Sequence, residues 1–257
     1  MIIARFSDQS GADPRFGVVD GDEIVVLAGD PIFQGFETLD VRLPLDQVKL
    51  LAPVIPRSKV VCIGMNYLEH KQELGHEGPA APLMFLKPNT AIVGPGEHIQ
   101  IPPVEGRIVH EGELALVVGK IAKSVDASRW RDYIFGFTIA NDVSARDQMF
   151  ADGQWARAKG YDTFCPIGPV IETELDWSAL EIQTEVDHEP RRHGNTRDMI
   201  HTIPDIIEYV SDVWTLLPGD LILTGTPAGL GGFTDGQTVS ITIEDIGTLS
   251  NPARDRE

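Results

Sequence analysis

Val109-His110-Glu111-Gly112-Glu113-Leu114-Ala115-Leu116-Val117-Val118 places two carboxylates, two residues apart, at the head of an apolar run. The run reads as a strand, and in a strand that spacing sends Glu111 and Glu113 to the same face. Two adjacent carboxylates without a counter-ion force at least one pKa upward, so a cation or a proton belongs between them. The motif by itself fits either a metal site or a solvated acidic strand end. Gly112 between the two acids lets another group approach the backbone.

Outward from this strand the chain reads as many short β-branched runs: Ile2 to Phe6, Phe16 to Val19, Glu23 to Leu27, Val60 to Gly64, Ile134 to Ala140, Leu221 to Thr224 and Val239 to Ile243. The Asp20-Gly21-Asp22 turn between two of them is a hairpin signal. Helical periodicity is confined to Tyr67 to Leu74 and Pro204 to Trp214, and no internal repeat or low-complexity tract appears. The expected class is therefore α+β and β-rich. A Pro-punctuated stretch at Pro44, Pro53 and Pro56 divides a small N-terminal β-rich unit, 1–57, from a larger domain, 58–257.

The chain has 257 residues, 42% of them hydrophobic and 23% charged, enough for a sizeable core. Its 39 acidic and 21 basic residues give a net charge of −18. That field repels phosphate backbones and anionic lipid, and with no basic patch in view neither a nucleic acid nor a membrane is expected as a partner. Cys62 and Cys165 are too few for a disulfide scaffold, and polar residues follow Met1 too soon for a secretory segment, so a soluble cytoplasmic protein is expected.

Asp142 ends the apolar run from Ile134 and is a third candidate ligand. Three carboxylates from strands, with no Cys and no close His pair, suit Mg²⁺ or Mn²⁺ better than zinc, and the second His of an HExxH motif is missing after His110-Glu111. His70 and Glu73 stand at i and i+3 of the predicted helix, as an acid/base unit or as an incidental surface pair. Gly64, Gly75 and Gly78 bracket that segment, as they would a lid over a substrate. Arg146 and Lys159 are cations close in sequence to these acids. Thr224-Gly225-Thr226-Pro227-Ala228-Gly229 offers hydroxyls and N–H groups but lacks the ending of a phosphate-binding loop, and no nucleophile elbow is present.

In this order the pieces resemble the fumarylacetoacetate hydrolase family from about Lys59 to Pro252. The resemblance is carried by Glu111-Gly112-Glu113-Leu114, the Asn141 to Asp147 segment, Thr224 to Pro227 and the closing stretch Ile243 to Pro252. It implies a mixed-sheet roll as the catalytic domain, preceded by a small N-terminal domain, in a homodimer. It implies Mg²⁺ or Mn²⁺ on Glu111, Glu113 and Asp142, with His70 and Glu73 as the acid/base dyad and Lys159 catalytic. Thr226, Gly225, Arg146 and Gln148 are the implied substrate contacts, although Gln148 follows Arg146-Asp147 directly where many members have Arg-Asp-x-Gln. The implied substrate is a small anionic 2-oxo acid or 1,3-dicarbonyl acid whose enolate is stabilised. Hydrolysis of an acylpyruvate or fumarylpyruvate and decarboxylation of an oxaloacetate-type acid rank ahead of isomerisation of a hydroxymuconate or hydroxyheptadienedioate. A binding protein that has lost its chemistry is the non-enzymatic alternative.

Overall fold

The computed structural model describes residues 1–8, 14–67, 80–229 and 231–256. Its centre is the strand Gly112–Val118, every residue of which is buried. On one side it pairs antiparallel with Ile134–Asn141, and on the other with Leu221–Leu223. Runs such as LALVV and FTIA are apolar on both faces, the composition of a strand covered on both sides rather than of an alternating surface strand.

These strands belong to a twelve-stranded mixed sheet. Val60–Gly64 joins parallel to Leu221–Leu223, and Leu83–Lys87 follows antiparallel at that edge. On the other flank Cys165–Glu172 pairs with Ile134–Asn141. The N-terminal strands continue the same sheet: Ile2 and Ile3 pair with Glu172 and Ile171, and the hairpins of Arg15–Asp20, Glu23–Leu27 and Thr38–Pro44 extend it outward. Ile3 is buried in one apolar layer with Cys62, Ala115 and Ile167. The N-terminal unit thus shares the sheet and part of the core of the larger domain. Gly21 turns the first hairpin with φ of 62°, a left-handed conformation that glycine adopts without strain.

A second, five-stranded sheet orders Glu189–Asn195, Glu181–Val186, Thr238–Ile243, Gly247–Asp255 and Ile99–Ile101. It packs against the head of the central strand so closely that a Cβ on Gly112 would lie 2.7 Å from Thr184 Oγ1. Contact with this sheet is the approach that Gly112 permits. The helix Ile203–Val213 buries Ile203, Ile206, Ile207 and Val210 on one stripe, as its periodicity predicts. Two short helices, Arg146–Asp152 and Trp155–Lys159, follow the central sheet and close one side of the site. Their seven and five residues are too few to show periodicity in the sequence. Residues 68–79, which include His70 and Glu73, lie outside the described residues. Among the described residues no helix is long and apolar enough to cross a membrane.

Candidate active site

Glu111, Glu113 and Asp142 converge at the head of the central strand. One oxygen from each lies within 4.8 Å of the others, and all three side chains are buried. The backbone fixes this geometry: Asp142 N donates to Glu111 O at 2.9 Å, and Glu111 N donates to Asn141 Oδ1 at 3.0 Å. The crossing from one strand to the next therefore carries all three acids. Glu113 accepts from Gly225 N at 2.7 Å. Gly225, at φ of 97°, brings that N–H in where a Cβ would lie 2.7 Å from Asn66 Cβ.

Two buried lysines meet the acids. Lys159 Nζ donates to Glu111 Oε2 at 2.9 Å and to Asp142 Oδ2 at 2.5 Å. Lys87 Nζ donates to Asp142 Oδ1 at 2.5 Å and to Val143 O at 3.1 Å. Three carboxylates thus face two ammonium groups, a formal 2 − 3 = −1. Burial, with Asp142 and Glu111 alongside, pushes the Glu113 carboxyl well above the usual carboxylate range. Burial alone would lower the Lys159 ammonium, but Asp142 and Glu111 outweigh it and hold Lys159 above its ordinary value, protonated. The excess negative charge, the hard oxygen donors and the lack of a sulfur ligand in the cluster among the described residues fit Mg²⁺ or Mn²⁺ on these three carboxylates.

The acids open into a cavity of about 160 Å³, lined also by Ile63, Met65, Arg146, Trp155, Lys159 and Thr226. Trp155 stands edge-on to Phe85 with ring centroids 5.2 Å apart, and Lys159 Nζ lies 4.9 Å over the Phe85 ring. Gly64 makes room for Trp155, since a Cβ there would lie 2.6 Å from the indole. Arg146 is buried with its guanidinium 4.9 Å over Phe150, so a second cation faces the cavity.

The structure therefore brings Glu111, Glu113, Asp142, Lys159, Arg146 and Thr226 to one cavity. Gly225 stands behind it, holding Glu113. Gln148 is not among the residues lining it: Tyr161 Oη lies 2.9 Å from the half-buried Gln148 amide. Four contributors were not singled out from sequence. Lys87 ends the otherwise apolar strand Leu83–Lys87 just before Pro88, and a lysine closing an apolar run is its one signal. Asn66 donates to Thr224 O at 2.7 Å and to His201 O at 3.0 Å, bridging segments far apart in sequence. Ser144 Oγ donates to Glu111 Oε1 at 3.2 Å. Arg192 reaches Thr226 from the second sheet. His110 is fully buried, and burial first, then Arg192, pushes its imidazole down to about 4, so it is neutral.

The family model described as "Fumarylacetoacetate (FAA) hydrolase C-terminal" matches residues 59–254, and one described as "Rv2993c-like, N-terminal" matches 1–53. Protein Rv2993c of Mycobacterium tuberculosis is 54% identical over 227 residues, 87% of this chain and 83% of that one. The human mitochondrial oxaloacetate tautomerase FAHD2A is 42% identical over 81% of this chain and 70% of its own. Among solved structures, 5-carboxymethyl-2-hydroxymuconate delta-isomerase from Mycobacterium smegmatis superposes with a TM-score of 0.92 at 46% identity, covering both chains in full. Maleylpyruvate hydrolase from Sphingobium sp. SYK-6, in complex with manganese (II) ion and pyruvate, gives 0.84 at 34% identity, again over both whole chains. The acid-headed central strand, the mixed sheet around it and these matches together make the chain a member of the fumarylacetoacetate hydrolase family.

Proposed function

We propose that the protein is an enzyme acting on a small 2-oxo dicarboxylic acid, of which oxaloacetate is the simplest, by forming and stabilising its enolate. One observation carries this reading: three buried carboxylates exceed their two lysine partners at the wall of a cavity that Arg146 also lines. A divalent ion held by Glu111, Glu113 and Asp142 would act as a Lewis acid toward the substrate's carboxylate and adjacent oxygen. Arg146 supplies a cation for the second carboxylate, which the −18 charge of the chain would otherwise repel. Trp155, Ile63 and Met65 exclude water, which strengthens these charge interactions.

Interconversion of keto and enol forms needs one proton to leave the enol oxygen and one to reach C3. Lys159 is the ammonium lining the cavity among the described residues, and its Nζ is the proton carrier of this reading. Giving a proton to C3 leaves an amine that recovers one from the enol hydroxyl. Tautomerisation or isomerisation is thus within reach of the described residues, and the 42% identical oxaloacetate tautomerase and the 46% identical isomerase support it.

C–C cleavage is the second reading. Loss of CO₂ from oxaloacetate leaves the same type of enolate, and hydrolysis of an acylpyruvate adds a water that His70, oriented by Glu73, would deprotonate. The pyruvate held by the 34% identical maleylpyruvate hydrolase favours it. The family resemblance further implies a homodimer, which sedimentation would test. The deciding experiment is turnover of oxaloacetate and of an acylpyruvate after EDTA treatment and again after adding Mg²⁺ or Mn²⁺. Faster enol–keto exchange at unchanged mass supports the first reading, and pyruvate with CO₂ or an acid pair supports the second. Metal-independent rates, or none on either compound, overturn the proposal.

A further inference from the structure

We infer that Arg192, on the second sheet, is a positioning residue for the substrate, acting through the Thr226 hydroxyl; the inference rests on the reading of the cavity as a 2-oxo acid site. Arg192 is buried, and a guanidinium taken out of water needs polar partners. Its Nη1 donates to Thr226 Oγ1, and its Nε donates to Gly229 O at 3.0 Å. One side chain thereby spans both sides of the Thr224–Gly229 loop. The hairpin that carries it is pressed onto the same loop: a Cβ on Gly194 would lie 2.3 Å from Pro227 Cβ, and one on Gly229 would lie 3.1 Å from Arg191 O.

The consequence is in the direction of one proton. Thr226 Oγ1 donates to Gly112 O at 3.0 Å while it accepts from Arg192. A hydroxyl has one proton and two lone pairs, so a single lone pair is left for the cavity that Thr226 lines. Toward a ligand Thr226 is then an acceptor, matched to a substrate group that carries a proton, such as the enol hydroxyl. Without Arg192 only the bond to Gly112 O holds the hydroxyl, its proton can turn toward a ligand instead, and that preference weakens.

The test is a double-mutant cycle on oxaloacetate turnover with Arg192→Gln and Thr226→Val. Each single change raises KM about tenfold with kcat within about twofold, because a ground-state contact is lost. The double variant is no worse than the poorer single. Losses that multiply, or a fall in kcat at unchanged KM, overturn the inference, since those are the marks of independent or merely structural roles. Should Arg192→Gln not fold, Arg192→Lys keeps the buried charge. It is expected to raise KM about threefold beside Thr226 and not at all beside Val, and an equal effect in both backgrounds overturns the inference. If the wild type turns over neither oxaloacetate nor an acylpyruvate, the functional reading fails by itself. A crystal structure of Arg192→Gln then decides this one: Thr226 Oγ1 turned away from Gly112 O supports it, and an unmoved hydroxyl overturns it.

Discussion

The two ends of the central sheet both bury acids, and they do so to opposite effect. At the far end Asp220 is completely buried, yet it accepts from Lys59 Nζ at 2.7 Å, Lys59 N at 3.1 Å, Leu217 N at 2.9 Å and Ser58 Oγ at 3.3 Å. One carboxylate meets one ammonium and three further donors, so nothing is left over for a ligand. At the near end three carboxylates share two ammonium groups and face a cavity. Burial of charge is common to both. Imbalance of charge beside open space separates a site for chemistry from a structural ion pair.

The largest test of that contrast sets Glu111→Ala against Asp220→Ala. Loss of a carboxylate from the near cluster is expected to lower turnover by about a thousandfold or more, several kcal/mol of barrier. Asp220→Ala is expected to cost about 3 kcal/mol of stability in denaturant unfolding while turnover per folded molecule stays within about twofold. If both variants lose turnover alike, the contrast fails.

Lys159→Met sharpens it. Turnover should fall about a hundredfold, the usual range for loss of a proton-transfer group. Of the two ammonium groups that meet the acids among the described residues, only Lys87 then remains, so the melting temperature without metal should drop, and added Mn²⁺ should raise it more than in the wild type. Equal metal-induced shifts in the two proteins would contradict the account.

The pH dependence follows from Glu113. Its folded pKa is raised above the ordinary 4.5, so the folded metal-free protein holds a proton that the unfolded chain releases. That contribution is complete below the unfolded value and is lost as pH rises through the folded one. Melting of the metal-free wild type should therefore lose stability with rising pH relative to Glu113→Gln. Mn²⁺ binding should release a proton, read by calorimetry in buffers of different ionisation enthalpy. The smallest expected effect is that of Gln148→Ala, whose amide meets Tyr161 outside the cavity, with kcat/KM changed by about threefold or less.

Most strands were legible because their signals are local. Val60–Gly64, Glu23–Leu27 and the helix Ile203–Val213 stand within a residue of where apolar runs and Pro204 put them. Glu111, Glu113 and Asp142 were legible as a strand-end pair and a strand-end acid and Lys159 as a cation near them in sequence, while the family resemblance gave Lys159 and Thr226 their roles. The rest depends on contacts across the chain. Lys87 meets Asp142 over 55 positions, and Asn66 meets Thr224 over 158, separations that no local pattern encodes. The joining of the N-terminal hairpins to the large sheet is likewise a register between Ile3 and Ile171, set by packing. Gln148 shares a helix turn with Arg146, but its position directs it to Tyr161 instead of the cavity.

Equilibrium binding of Mn²⁺ to the EDTA-treated protein tests the central claim most directly. The account predicts one ion per chain, abolished by Glu111→Ala and retained by Asp220→Ala. No binding by the wild type, or binding that Glu111→Ala leaves intact, would contradict it.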